Sequence, residues 1–281
     1  MTRIVAVTGA SRGIGRATAL AMARSGYQVF ALARSESELR QLSREAAQTG
    51  LDIVPAVMDI ARDVDRESAV SEIIKATDDY GLDVLVNNAG YGQMGPMEEV
   101  SPDQLRRQLE VNVVGALAFT QPFLPGMRRR GNGVIVNVSS VSARVVAPFS
   151  GAYAASKSAL EAMSDALRLE LWPFGVHVVL IEPGPIRTGF TATARSMTPD
   201  PSASPYSQLI QRFENGRKGW YVFERPPESV ATVILKAVQA DRPRARYTVT
   251  LAAGMTNIVR RLVPDAASDW AMRRTMGARR Q

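Results

Sequence analysis

Seven short runs of apolar residues recur along this chain, at 4–7, 27–32, 53–58, 82–86, 134–138, 176–181 and 247–251, with helix-patterned blocks between most of them. A run such as Ile4-Val5-Ala6-Val7 is apolar at consecutive positions, so both faces of the strand it forms need cover. Helical crossovers supply that cover, and they join strands that run in the same direction. The pattern therefore predicts a doubly wound α/β fold, a parallel sheet with helices on both faces. With 281 residues, 46% of them hydrophobic, the chain can bury the core such a sheet needs. No internal repeat breaks it, and the Pro/Ser/Thr-rich stretch 191–205 reads as an insertion over one edge, after the sixth strand.

Composition removes several chemistries. The chain has no cysteine, hence no disulfide and no thiolate metal site, and this usage fits a reducing compartment. Its one histidine, His177, lies inside the apolar strand pattern 176–180, where a structural imidazole is expected and not a base. No apolar run reaches the roughly 18 residues of a membrane span, and the apolar stretch at the start is too short for a signal peptide. The chain reads as cytoplasmic. Its net charge of +7 sits mainly in the tail, where Arg260, Arg261, Arg273, Arg274, Arg279 and Arg280 face two aspartates. Met255, Ile258, Val259, Leu262 and Val263 form an apolar stripe there at helical spacing. Such a basic segment either rests on an anionic membrane surface or packs on the domain or a sister subunit. The arginines are not interleaved with stacking aromatics, which argues against a nucleic-acid partner.

The turn after the first strand reads Thr8-Gly9-Ala10-Ser11-Arg12-Gly13-Ile14-Gly15. It fits the G-x-S-x-G elbow of serine hydrolases, with Ser11 as nucleophile, but that chemistry needs a histidine base and only His177 exists. A phosphate-binding turn uses every glycine: Gly9 for the tight turn, Gly13 where backbone approaches a pyrophosphate, Gly15 where the helix packs on the sheet. Ser11, Arg12 and Ile14 complete that turn, and the helix N-terminus offers its free N–H groups to the anion. The second strand ends at Arg34, where a site for NAD usually carries an acid that holds the ribose hydroxyls. Arg34, with Arg12, points to the extra phosphate of NADP(H) instead, and makes NAD the less favoured cofactor.

Chemistry in such folds gathers at the carboxyl ends of the strands. There lie Asn87-Asn88-Ala89-Gly90, then Ser139-Ser140, and thirteen residues after Ser140 a helix opening around Tyr153 and Lys157. Four residues apart, Tyr153 and Lys157 share one helix face. An unperturbed tyrosine, with a pKa of about 10, is a poor acid–base group at neutral pH. A nearby ammonium and an oxidised nicotinamide both favour its phenolate, so Lys157 is expected to tune Tyr153. Ser140 is placed to donate a hydrogen bond to a substrate carbonyl oxygen.

These motifs, with Asn112 and Pro183-Gly184, stand in the order and spacing of the short-chain dehydrogenase/reductase family, which the chain resembles over about residues 3–190. The resemblance implies a single Rossmann-like domain with a seven-stranded parallel sheet. It implies a tetrad of Asn112, Ser140, Tyr153 and Lys157, with Asn112 holding a water in a proton relay to Lys157. It further implies cofactor contacts from Asp59 to the adenine, Asn87 to the ribose side, and Ile186 and Thr188 to the nicotinamide amide, with Ala89, Gly90, Pro183 and Gly184 lining the cleft and Tyr153 and Lys157 touching the cofactor. The stretches 172–178 and 182–190 are most similar to the branch of 17β-hydroxysteroid and retinol dehydrogenases, whose substrates are bulky lipophilic alcohols and ketones. Residues 1–254 then form the dinucleotide-binding and catalytic domain, and 255–281 a basic helical extension. Phe190, Met197, Tyr206, Phe213, Trp220, Tyr221 and Phe223 suggest a lid at about 190–223, with Met94, Val141, Val145, Val146 and Phe149 completing an apolar pocket. The implied activity is NADP(H)-dependent interconversion of a secondary alcohol and a ketone. A cofactor-binding regulator without catalysis is the alternative, and a hydrolase built on Ser11 the remote one. Family members commonly form dimers or tetramers through two helices, here 103–129 and 150–171.

Overall fold

The computed structural model describes residues 2–196, 204–217, 224–250 and 263–276. Seven parallel strands form one sheet: β1 (Ile4–Thr8), β2 (Gln28–Ala33), β3 (Ile53–Val57), β4 (Val84–Asn87), β5 (Gly133–Val138), β6 (Val176–Glu182) and β7 (Arg246–Thr248), in the order β3-β2-β1-β4-β5-β6-β7. All seven apolar runs became strands. The order reverses between β1 and β4, which opens a crevice at their carboxyl ends. Pro55, which has no N–H to give a ladder, lies in β3, an edge strand paired only with β2.

The alternation along each strand divides the core into two layers. Val5 and Val7 face one side with Val29, Ala31, Val134 and Val136, against α1 (Gly13–Arg24), α2 (Glu36–Ala47) and the late helix α10 (Pro227–Gln239). Ala6, Phe30, Leu32 and Ile135 face the other side. That layer is closed by α3 (Asp63–Ala76), by a segmented rod, and by α7 (Gly151–Leu171). The apolar runs are two-faced because each strand feeds both layers.

The rod is where the expected helix 103–129 departs from regularity. It comprises α4 (Pro102–Leu109), a π-helical turn (Glu110–Val114), α5 (Gly115–Thr120), a 3-10 turn (Gln121–Phe123) and α6 (Leu124–Arg130). A capping box starts it, with Ser101 accepting from the Gln104 N–H and the Gln104 side chain accepting from the Ser101 N–H. Gly131, at φ 63°, ends it in the left-handed conformation. Gly115 is pressed so close to the Ile60 carbonyl that a Cβ there would stand 2.4 Å from its oxygen.

The insertion after β6 carries α8 (Phe190–Ser196) and α9 (Ser207–Arg217), and a last helix, Asp265–Met276, packs against α9. Met197, Trp220, Tyr221 and Phe223 of the expected lid, and residues 255–262 of the basic stripe, lie outside the described residues. No described helix is long and apolar enough to cross a membrane.

Candidate active site

The glycine turn is shaped around backbone. Gly9 (φ 66°) and Gly13 (φ 55°) are left-handed, a conformation L side chains rarely hold. A Cβ on Gly15 would lie 2.2 Å from the Gly9 carbonyl oxygen and 2.6 Å from Asn88 Nδ2. The turn is tied to its neighbours: the Ala10 N–H donates to Leu32 O (3.0 Å), and Asn88 Nδ2 to Thr8 O (2.9 Å). Thr8 Oγ1 accepts from the N–H groups of both Asn88 and Ala89 at 3.0 Å. Ile14 stands in the first turn of α1, a helix whose N-terminus has no capping side chain and no acid in that turn. Its positive end is thus left for an anion. Gly15→Ala is expected to cost about 3 kcal/mol or more of stability in urea unfolding, because only backbone and a tied amide surround the new methyl.

Arg12 and Arg34 emerge from the ends of adjacent strands, β1 and β2, and both are exposed. Among the described residues neither is held in an ion pair. Two exposed arginines at the ends of neighbouring strands, beside the glycine turn, are available to an anionic ligand. Asp59 is more occupied than the sequence reading expects: its Oδ1 accepts from the Ala61 N–H (3.0 Å) and its Oδ2 from Arg107 Nη2 (3.2 Å). Asn87 turns into the sheet, its Nδ2 donating to Thr120 Oγ1 and Asn137 Oδ1, both at 2.9 Å. The loop after β6 crosses back over the crevice. Pro183 O accepts from the Val141 N–H (3.2 Å), Gly184 lies against Thr250, Ile186 bridges to Arg225, and Thr188 rests on Gly13.

At the neighbouring strand end the four expected catalytic residues come together. Ser140 follows β5 in extended backbone, its Oγ accepting from the Ser142 N–H (3.1 Å), and stands close enough to the Tyr153 phenol to favour its ionised form. Tyr153 and Lys157 face the sheet from α7, only 8% and 6% exposed. Lys157 Nζ donates to Val138 O (2.8 Å) and lies 5.9 Å from the Tyr153 ring centre. Asn112 sits in the π turn: its Oδ1 accepts from the Tyr91 N–H (3.1 Å), and its Nδ2 donates to Tyr91 O and Ser156 Oγ, both at 3.0 Å. Gly90 lies between Asn112 and Lys157, its missing side chain leaving room beside both.

Burial dominates the electrostatics. It pushes the Tyr153 phenol up to about 12, against the opposing effect of Ser140, and pulls the Lys157 ammonium down to about 8, against the charge of Glu161. Burial outweighs the influence of Ser140, so the phenol holds its proton at neutral pH. Phe190 covers the Tyr153 ring, and a second set of rings gathers around Phe149. Phe190 stands 5.2 Å from the Tyr153 ring and against Gly92 and Met94, and Phe149 meets Tyr206 and Phe213 edge-on at 6.4 and 5.8 Å. Phe149 itself is left-handed (φ 64°), a strained backbone for a bulky residue, and its carbonyl accepts from the Gly95 N–H (2.8 Å).

His177 is the second residue of β6, paired with Val134 near the amino ends of the strands, whereas Ser11 follows the carboxyl end of β1. The two lie at opposite ends of the sheet, so the elbow reading of Ser11 has no base. Sequence reasoning missed a buried charge cluster beside Ser139 and Ser140, formed by Arg144, Glu161, Glu182 and Arg246. The spacing of Tyr153, Lys157 and Glu161 along one helix face was its available signal.

The short chain dehydrogenase family model matches residues 3–199. The uncharacterized oxidoreductase YbbO of Escherichia coli K12 is 38% identical over 272 residues, spanning 96% of this chain and 93% of its own. The NADPH-dependent 3-dehydrocapnine reductase of Ornithobacterium rhinotracheale is 34% identical, over 95% of each chain. Human 17-beta-hydroxysteroid dehydrogenase type 1 is 34% identical over 88% of this chain and 77% of its own. These relatives carry different names, so the resemblance to one branch gives way to membership in the wider family. A match over most of the sequence, on a seven-stranded Rossmann-like sheet, makes the chain a member of the short-chain dehydrogenase/reductase family, NAD(P)-dependent oxidoreductases acting on CH–OH groups.

Proposed function

We propose that this chain interconverts a secondary alcohol and a ketone with NADP(H), acting on a bulky lipophilic substrate of the hydroxysteroid, retinoid or lipid type. The observation that carries the reading is the buried constellation of Tyr153 and Lys157 beside Ser140, under the ring of Phe190. Bound in the crevice, the nicotinamide supplies a hydride to the carbonyl carbon, or takes one from the carbinol carbon. Ser140 orients the substrate oxygen by hydrogen bonding. The Tyr153 phenol gives its proton to that oxygen in reduction and accepts it in oxidation. Lys157 holds a proton one helical turn away, and Asn112, tied to Tyr91 and Ser156, borders the route by which a water resupplies it. Gly9, Ser11, Arg12, Gly13, Ile14, Gly15 and Arg34 bind the phosphates, with the remaining cofactor contacts from Asp59, Asn87, Ala89, Gly90, Pro183, Gly184, Ile186 and Thr188.

NADP(H) is favoured over NAD(H) by Arg12 and Arg34, and the relative named as an NADPH-dependent reductase agrees with it. The lipophilic substrate rests on the aromatic rings around Phe149 and on the relative named as a hydroxysteroid dehydrogenase. In this reading the protein works as a homodimer or homotetramer in the cytoplasm, through the rod and α7. The packing of the last helix on α9 favours a tail held on the protein over one laid on a membrane.

The test is NADPH oxidation across ketones and aldehydes of increasing size and hydrophobicity, with NADH titrated in parallel. NADPH should bind at least about tenfold more tightly, the equivalent of one charge-assisted contact worth about 1.4 kcal/mol. Catalytic efficiency kcat/KM should climb with apolar bulk. Equal NADH affinity would overturn the cofactor assignment, and a preference for small polar carbonyls would overturn the substrate class. Tight NADPH binding without turnover on any carbonyl would favour the regulator.

A further inference from the structure

Two buried carboxylates lie beside the end of β5 that carries Ser139 and Ser140. Glu182, at the end of β6, is 1% exposed, and Glu161 on α7 is 8% exposed. Arg246 from β7 reaches both, with Nη1 2.7 Å from Glu161 Oε2 and 3.0 Å from Glu182 Oε1. Arg144, just past the 3-10 turn that begins after Ser140, reaches the same two oxygens at 3.3 and 3.1 Å. At the half-exposed rim Asp165 accepts from Arg246 and Arg168. Glu161 is divided between two tasks. Its Oε2 takes both arginines, while its Oε1 accepts from Ser139 Oγ at 2.9 Å.

A buried ion cluster is a poor source of net stability, since apolar side chains of similar volume serve as well or better. Its position suggests another use. The cluster touches the residue before Ser140, the residue that follows the turn after Ser140, and the helix bearing Tyr153 and Lys157. Ser140 and Tyr153 come from different elements, and their alignment depends on how β5 is held to α7.

Taking Tyr153 and Lys157 as the proton-transfer pair, we propose that Glu161 is a positioning residue, clamping the Ser139–Ser140 end of β5 to α7 with Arg144 and Arg246 as struts. The carboxylate has a second effect through charge. It stands one helical turn beyond Lys157 and partly offsets the burial that pulls that ammonium down. Tyr153 on the same helix lies beside Lys157, and the charged groups that meet Glu161 from the neighbouring elements are Arg144 and Arg246 of β7, both shared with Glu182 of β6. The π turn presents the uncharged Asn112 and also Glu110, which pairs with Arg66, while Arg106 and Arg107 of α4 are turned to Asp103 and Asp59. Replacing Glu161 by glutamine leaves both arginines in place, so the local potential becomes more positive and Lys157 loses its proton at lower pH.

The experiment uses the full chain and three variants. Glu161→Gln should lower kcat about tenfold with NADPH affinity unchanged. In the protein without cofactor, its Lys157 side-chain NMR resonance should titrate about one pH unit lower than in the wild type. With four lysines in the chain that resonance is assignable by single Lys→Arg replacements at the other three. Ser139→Ala, which removes only the clamp's hydroxyl, should lower kcat without moving the titration. Asp165→Asn, at the rim, should weaken folding but leave kcat within about twofold and the titration in place. An unmoved Lys157 titration and unchanged kcat in Glu161→Gln overturn the proposal, as does an Asp165→Asn shift of equal size. Should Glu161→Gln fail to fold, an unchanged kcat in Ser139→Ala overturns the clamp. These readouts are separable from the reaction assignment, because retained turnover in Tyr153→Phe, or no turnover on any carbonyl, bears on the latter, whereas the Lys157 titration bears on Glu161.

Discussion

Tyr153→Phe should abolish turnover, lowering kcat by about 10³-fold, while NADPH affinity stays within about twofold and the fold is kept. The ring sits 8% exposed between α7 and Phe190, so phenylalanine preserves its packing. What is lost, in the proposed mechanism, is the hydroxyl that gives a proton to the substrate oxygen. The buried phenol, pushed up to about 12, is a proton donor through the neutral range. Ketone reduction by the wild type should therefore be flat with pH from 6 to 8, roughly the span below both this value and the free phenol's. Alcohol oxidation needs the phenolate and should rise with pH over the same range. Stopped-flow measurements of NADPH oxidation, with cofactor affinity from fluorescence titration, separate loss of chemistry from loss of binding. A variant that kept most of its turnover would place the proton donor elsewhere.

How far the site was legible follows from which interactions are local. The seven strands announce themselves because each is apolar on two faces, but three of them run one residue past their apolar runs. Thr8, Asn87 and Glu182 extend β1, β4 and β6 as polar strand ends, locked by Asn88, by Thr120 and Asn137, and by Arg144 and Arg246. Polar residues at such places read as turns until their distant partners are known. The π turn at 110–114 escaped for the same reason, since nothing in Glu-Val-Asn-Val-Val breaks a helical period. It is accompanied by Asn112 contacts to Tyr91 and Ser156, 21 and 44 residues away. Tyr153, Lys157 and Ser140 were legible as a motif, whereas the upward push on the Tyr153 phenol depends on burial, a property of the packed fold. Glu161 and Arg246 are 85 residues apart. A glutamate on a helix usually faces water, and only its register with Lys157 hinted otherwise.

The second large effect joins function to stability. Lys157→Met should lower kcat by about 10² to 10³-fold and yet make the protein without cofactor more stable at pH 7. The folded-state pKa of Lys157, lowered to about 8 from 10.5, means that the fold penalises its charge. That difference corresponds to about 3 kcal/mol, present in full below pH 8 where the group is protonated in both folded and unfolded chains. Methionine fills the same channel without the charge. Against the gain stands the Val138 carbonyl, which loses its donor at a cost of about 1 kcal/mol. The net is about 2 kcal/mol in favour of the variant. As pH rises from 8 to 10.5 the wild-type amine sheds its proton in the folded state first, its penalty fades, and the advantage of methionine should disappear. Urea unfolding at pH 7 and pH 10 reads this directly. A variant less stable than wild type at pH 7 would mean that the ammonium is held by stronger partners than Val138 and Glu161. A burial penalty kept at a helix position that methionine could fill is, in the proposed mechanism, strain retained for chemistry by the side chain that carries a proton behind Tyr153.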